Sequence, residues 1–549
     1  MMKITFKANF FNPLLVLLAL LSVLALPFAF KQDKQNSEIA QRTLVILTPH
    51  NEAIRYEFSR AFQAYIQEKY GEIVSIDWRT PGGASEILRM LDSGYLAAFK
   101  NHWQNTLKRK WDYSIAQNFD SPLTQATPDN QPGPAQEARS VFLNSNVGLG
   151  IDLLFGGGTY LFKKQSERGH LVNCGLLETY PHWFGEEGIP EEMSGETYWD
   201  RNGLWLGTCL SSFGICYNKD SLEPLGVDHP PTSWDDLGNF AYFRQLALAN
   251  PSQSASAATA FEMIIQQQMR RCLGELAGTT GTSVTEEQEQ AAVAEGWLRG
   301  LQLIQRISAN ARYFSDSSSK IVLEISSGNA AAGMVIDFYG RSQAEAVRRS
   351  DGSSRLHYTT PTGGSSISVD PIGILRGAPN HELAQEFIEY VLSLEGQKLW
   401  NYQPGAPGGP VRYPLRRLPI RRELYEEIHA PHRCDPEEKP YQKAESFYYR
   451  ADWTSSLFQT IAFLVRVMCI ENHEELQSAW KELNQAHFPE RATEIFYDLT
   501  RVSYEKSLQD IQPLLKSRDK LAEIRLASRL SSNFRANYRL VIKLARQGK

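Results

Sequence analysis

"LVILTPHNEAIRYEFSRAF", Leu44–Phe62, reads as a strand of apolar residues that ends in Thr48, Pro49, His50 and Asn51 and passes directly into a helix. From Asn51 to Tyr70 the residues Ile54, Phe58, Ala61, Phe62, Tyr65 and Ile66 recur three or four apart, and charged residues fill the other side, the pattern of a helix lying on a sheet. A strand buried on both faces needs no polar end. A polar cluster between strand and helix is a common ligand-binding edge of open α/β sheets. Working outward, "EIVSIDW" (72–78) is a second β-rich run, "RTPGGAS" (79–85) breaks it, and "SEILRML" (85–91) resumes a helical pattern with Ser85 as the expected N-cap. A third round of strand, glycine turn and helix follows in "GIDLLFGGGTYLFKK" (150–164). Three such rounds predict an α/β fold with a mostly parallel sheet. The Pro-, Gly- and polar-rich insert from Asp120 to Ala138 is expected to be a surface loop.

The middle of the chain has a different rhythm. "WLGTCLSSFGICYNKD" (205–220) is a long β-rich run, and "PTSWDDL" (231–237) is a helix start with Ser233 or Thr232 at the cap. A second set of α/β signals then appears: "ALANPSQSASAATAFEMIIQQQ" (247–268), "EGWLRGLQLIQRIS" (295–308) and "AAAGMVIDFYG" (330–340), the last a buried strand ending in Asp337 and Tyr339. "SSISVDPIGIL" (365–375) reads as strand, and Leu383, Phe387, Val391 and Leu394 mark a helix. The chain enters a second α/β lobe and comes back. Past Trp400 a Pro- and Gly-rich stretch leads to Trp453–Gly548, helix-compatible and without a clear strand.

Composition sets the bounds. At 549 residues, 42% hydrophobic and 22% charged, two or three globular domains are expected. A formal charge of -5 is the wrong sign for a non-specific nucleic-acid binder. Lys3 and Lys7 precede the uncharged run Leu14–Phe30, the pattern of an export signal or, at that length, an uncleaved membrane anchor. Export permits disulfides, but Cys174, Cys209, Cys216, Cys272, Cys434 and Cys469 serve equally well as buried thiols. Lys516–Lys549 holds ten basic residues against two acids, either a solvated face or a contact with an anionic membrane.

"LTPHNEAIRYEFSRAF", "LLFGGGTY", "SSFGICYNKDSLEPLG", "PTSWDDL", "ANPSQSASAATAFEMI", "AAAGMVIDFYG" and "GILRGAPNHELAQEFIEYVLSLEGQKLW" together resemble the extracellular solute-binding proteins of ABC importers, in the ferric-iron-binding branch. The resemblance runs from about Thr43 to Pro410. It implies a two-lobed type II periplasmic binding protein fold, with Trp205–Tyr217 and Ser365–Leu375 as hinge strands and the ligand in the cleft between lobes. The expected divisions are 1–36 signal or anchor, 42–210 with 365–405 first lobe, 211–364 second lobe, and 406–549 an added helical region. Strand ends and helix N-termini in such a cleft favour an anionic or oxygen-rich ligand. The expected contacts are Thr48, His50, Asn51, Gly83, Ser85, Gly157 and Thr159 from the first lobe, and Ser212, Ser252, Ser254, Ser256, Ser318, Asp337 and Tyr339 beyond it.

Ferric-binding relatives hold iron with a histidine, a carboxylate and two adjacent tyrosines. His50 matches the histidine, but the tyrosine pair falls on Phe338 and Tyr339, so one phenolate is missing where hard Fe(III) wants anionic oxygen. His50, Asp337 and Tyr339 are the metal set of the iron alternative, with Fe3+ as cargo; no resident cofactor is expected. An adjacent pair at Tyr448 and Tyr449 lies in the added region, where it is expected to pack or cap a helix. "HAPHRCD" (429–435) would need a fourth ligand to bind zinc. No nucleophile and base are assembled, so no enzyme is expected. The leading expectation is an importer's binding protein, a monomer in the periplasm that captures a small polar or anionic solute for inner-membrane permease subunits; a membrane-tethered sensor or scaffold is the alternative.

Overall fold

The computed structural model describes residues 40–122, 133–280, 284–517 and 519–549. The segment read as signal or anchor lies outside the described residues. In chain order the strands are β1 (Arg42–Leu47), β2 (Val74–Arg79), β3 (Leu153–Phe155), β4 (Leu171–Val172), β5 (Glu192–Met193), β6 (Glu196–Thr197), β7 (Leu206–Ser211), β8 (Phe213–Asn218), β9 (Leu246–Ala249), β10 (Ala311–Ser315), β11 (Ala332–Ile336), β12 (Leu356–Thr359), β13 (Ser368–Leu375) and β14 (Leu418–Pro419). One sheet has the order β14-β7-β13-β3-β1-β2, with β4 also on β13, and a second has the order β10-β9-β11-β8-β12.

The first-lobe sheet is mixed. β1 pairs in parallel with β2 and β3, as the opening stretch predicts, but β13 runs antiparallel to β3, β4 and β7. β13 arrives from the other lobe, so no crossover helix sets its direction. The helices follow the same local logic. Asn51 caps α1 (Glu52–Tyr70) by accepting from the Ile54 N–H, and Gly71 closes it at φ 68°. Ser233 caps Trp234–Leu237 in a reciprocal box with Asp236. At α2 (Ala84–Asn101) the N-cap is Gly83 rather than the expected Ser85, because Glu86 reaches back to the Gly83 N–H at 3.1 Å. The strand expected to end in Asp337 and Tyr339 stops at Ile336, and Asp337 begins a helix. Pro134–Leu143, which begins inside the expected loop and runs past its end, is helical with Pro at the first position.

Two connections cross between lobes close to the expected hinge strands. Ser212 alone separates β7 from β8, and residues 360–367 join β12 to β13. A third crossing is new. The region past residue 406 does not stand apart: Leu415, Leu418, Ile420 and Ala444 belong to the first lobe's core, whereas Trp453, Leu457, Ile461, Leu464 and helix Lys520–Arg546 belong to the second's. β14 pairs with β7. Between these parts the chain passes from one lobe to the other, with the Tyr449 N–H on Ser194 O (2.8 Å) and the Arg450 N–H on Gln266 Oε1 (3.1 Å). The buried Glu57 carboxylate accepts the backbone N–H groups of Val411, Arg412 and Tyr413 at 2.7–2.8 Å, which fixes the proline- and glycine-rich loop onto α1.

Candidate functional site

A cleft of about 860 Å³ lies between the lobes. Four helices begin on its walls: α2, α3 (Thr159–Arg168), α4 (Ala255–Thr280) and α5 (Ser318–Ser326), whose first residues Ala84, Thr159, Ala255 and Ser318 all line it. The first turn of each helix has N–H groups without intrahelical partners, and the helix dipole adds partial positive charge there. Two helices come from each lobe. On the second lobe the hydroxyls of Ser254 and Ser318 meet at 2.6 Å and tie the start of α4 to that of α5, and Ser317 meets Ser319 at 2.9 Å.

On the first lobe, the turn after β3 is built on consecutive glycines with positive φ, Gly156 at 84° and Gly157 at 109°. A Cβ on Gly156 would fall 2.5 Å from His50 Nε2, so only glycine admits the imidazole. The Gly157 and Gly158 N–H groups donate to Asp370 Oδ1 at 2.8 and 3.1 Å. Asp370 Oδ2 accepts Arg417 Nη1 at 2.6 Å and is hydrogen-bonded to His50 Nε2 at 3.1 Å. Arg417 also donates to Ser211 Oγ at 2.8 Å and lies over the Phe338 ring. Burial opposes charge on Asp370, but the Arg417 guanidinium and the His50 hydrogen bond outweigh it and hold the carboxyl far below the usual range. Burial lowers the His50 pKa, only partly offset by Asp370, which keeps the imidazole neutral at pH 7. The glycine turn's anion-binding donors are thus taken by the protein's own carboxylate.

A second charged group lines the same cleft. Glu196 of β6 and Glu262 of α4 are buried and come from opposite lobes, with Lys163 of α3 beside them. Ser366 Oγ donates to Glu196 at 2.5 Å; Thr454 Oγ1 and Tyr449 Oη donate to Glu262 at 2.6 and 2.9 Å. Burial pushes both carboxyls up, Glu262 to about 7 with the Glu196 charge adding to the rise. At the rim Tyr160 of α3 stacks on Phe458 from the C-terminal region at 4.6 Å.

Residues 151–415 match the family model of the bacterial extracellular solute-binding proteins. Over that stretch the chain resembles the family. Phosphoglycerate transport regulatory protein PgtC of Salmonella typhimurium is 25% identical over 213 residues, 39% of this chain and 43% of that protein, so the match spans less than half of this relative. Among solved structures, the periplasmic binding protein AfuA from Actinobacillus pleuropneumoniae with fructose-6-phosphate bound is similar at 16% identity and a TM-score of 0.41, covering 65% of this chain and 82% of that one. Iron-bound HitA from Pseudomonas aeruginosa is similar at 15% identity and a TM-score of 0.42, covering 76% and 98%. The family match and the resemblance drawn from the sequence name the same class of protein, and two sheets joined by repeated crossings form the fold that the resemblance implied.

Of the predicted contacts, His50, Asn51, Gly83, Gly157, Thr159, Ser254, Ser256, Ser318 and Tyr339 line the cleft. The others do not, each for a local reason. Thr48 is fully buried and locks the turn, donating to Phe155 O and accepting from the His50 N–H. Ser212 bonds Tyr358 and Thr360 within the crossing. Ser85 and Ser252 line an adjoining pocket beside Phe458. Asp337 is buried and takes Arg341 at 2.9 Å. Of the iron set, His50 and Asp337 are therefore engaged by protein groups, and Tyr339 lines the cleft beside Phe338. No group of three or more His, Cys, Asp or Glu side chains stands ready for a metal ion among the described residues.

Sequence reasoning missed Asp370, Arg417, Glu196, Glu262 and Lys163, which local patterns present as ordinary strand, loop and helix residues. Tyr449, set aside as a packing residue, is in the cleft, whereas Tyr448 is half exposed. In "HAPHRCD", His429 bonds the Tyr402 hydroxyl, His432 packs on its ring and Cys434 donates to its carbonyl. All six cysteines are free, five of them buried. The basic C-terminal helix sets Arg539 on Glu475 and Arg546 on Glu482.

Proposed function

We propose that this chain captures a small organic anion in the interlobe cleft and delivers it to the permease of an ABC-type importer, acting in the periplasm as a monomer and without turnover. One observation carries the reading: four helix N-termini, two from each lobe, open onto one cleft. Oriented N–H groups from both walls bind an anion best when the lobes are closed, so ligand contacts made only in that state drive closure. Phosphorylated metabolites are the first probes, because a relative is named for phosphoglycerate transport. Ferric iron is the weaker cargo, since Phe338 occupies one of the two tyrosine positions and His50 already serves Asp370.

The test is native mass spectrometry of the exported chain, followed by calorimetric titration and small-angle scattering with 3-phosphoglycerate and fructose 6-phosphate. One anion bound per chain with a fall in radius of gyration is expected. A chain that neither binds nor compacts with any anion overturns the proposal, and stoichiometric iron replaces it. A second reading, a binding protein that reports its ligand to a regulator, draws on the third crossing: helices of the C-terminal region are built into the second lobe and move with it on closure.

A further inference from the structure

The anion reading gives Glu196, Glu262 and Lys163 no role, yet they are costly to keep. An ionised carboxylate taken out of water destabilises the fold unless it is fully paired. Each glutamate is satisfied on one oxygen only: Oε1 of Glu196 takes Ser366, and Oε1 of Glu262 takes both Tyr449 and Thr454. Both side chains line the cleft, and their hydrogen bonds to described residues all engage Oε1. The Lys163 ammonium, also in the cleft lining, is 3.5 Å from Thr197 Oγ1 and forms no ion pair within 4 Å among the described residues. Two acceptors and one donor therefore face the same space, from both lobes.

We propose that these three side chains form a hydroxyl-recognition subsite, which takes the polyol body of a solute whose anionic group sits at the helix N-termini; the inference rests on the anion reading above. A hydroxyl both donates and accepts, so neighbouring hydroxyls satisfy a carboxylate and an ammonium together. A ligand ammonium suits the two glutamates but meets Lys163 as a like charge. Because Glu196 and Glu262 belong to different lobes, a polyol bonded to both links the two walls and adds to closure.

The test is calorimetric titration of the full exported chain with inorganic phosphate, propyl phosphate, glycerol 3-phosphate and fructose 6-phosphate. Glycerol 3-phosphate and propyl phosphate differ by two hydroxyls on one carbon skeleton. We expect the hydroxylated phosphates to bind at least about tenfold more tightly than propyl phosphate, the scale of a hydrogen bond to a charged group. Glu196→Gln and Glu262→Gln each remove about tenfold from the hydroxylated ligands and leave propyl phosphate unchanged. Lys163→Met, at a half-buried position, gives the same loss should a glutamine variant fail to fold. Equal affinities for propyl and glycerol phosphates overturn the subsite and leave the anion reading standing. Failure of every phosphate, inorganic phosphate included, overturns the subsite, and failure of every other anion besides overturns the anion reading as well. Tighter binding of glucosamine 6-phosphate than of fructose 6-phosphate, lost in the glutamine variants, also overturns it and assigns the carboxylates to an ammonium.

Discussion

Replacing Glu262 with glutamine tests the electrostatics of the cleft without any ligand. The side chain keeps its size, and its amide oxygen still accepts from Tyr449 and Thr454. What disappears is a carboxyl that burial, with the charge of Glu196, raises from about 4.5 to about 7 in the folded chain. A raised carboxyl binds its proton more tightly when folded, so its stabilising contribution is complete below about pH 4.5 and is lost as pH climbs through 7. At 1.4 kcal/mol for each pH unit of difference, the wild type loses about 3 kcal/mol between pH 4.5 and pH 8 that the variant keeps. Urea denaturation of both proteins across that range measures it. The stability of Glu262→Gln relative to wild type should rise by about 3 kcal/mol from the acid to the alkaline end. A difference that stays constant with pH refutes the reasoning, because Glu262 would then titrate alike in the folded and unfolded chains.

Three other substitutions follow from the architecture. Arg417→Met strips the buried Asp370 of its ion-pair partner and should cost about 3–5 kcal/mol; adding Asp370→Asn should recover part of it in a double-mutant cycle. Phe458→Ala removes the rim stacking on Tyr160, worth about 0.5–1.5 kcal/mol, and should enlarge the radius of gyration of the unliganded chain in small-angle scattering. Ending the chain after Ser446 removes Leu457, Ile461, Leu464 and Tyr538 from the second lobe's core, and the product should bind a hydrophobic dye and lose its near-ultraviolet circular dichroism.

What the sequence by itself determined is local. The period of Ile54, Phe58 and Phe62, the Asn51 and Ser233 caps and the Gly156–Gly158 turn each depend on residues within a few positions, so pattern alone places many of the strands and helices, while the two expected lobe crossings come from the family resemblance. The misses at Ser85 and Asp337 are local too: Glu86 reaches three residues back to the Gly83 N–H and moves the cap there, and Arg341, four residues on, occupies the Asp337 carboxylate. The tertiary structure decided the rest. Asp370 meets Gly157 across 213 positions, and Glu262 meets Tyr449 across 187; no periodicity spans such distances. The antiparallel course of β13, the division of the C-terminal region between lobes and the third crossing all follow from which apolar faces could be buried together. Sheet order and buried charge partners are settled by that burial, because an unpaired carboxylate or an uncovered apolar face costs more than any local preference can offset.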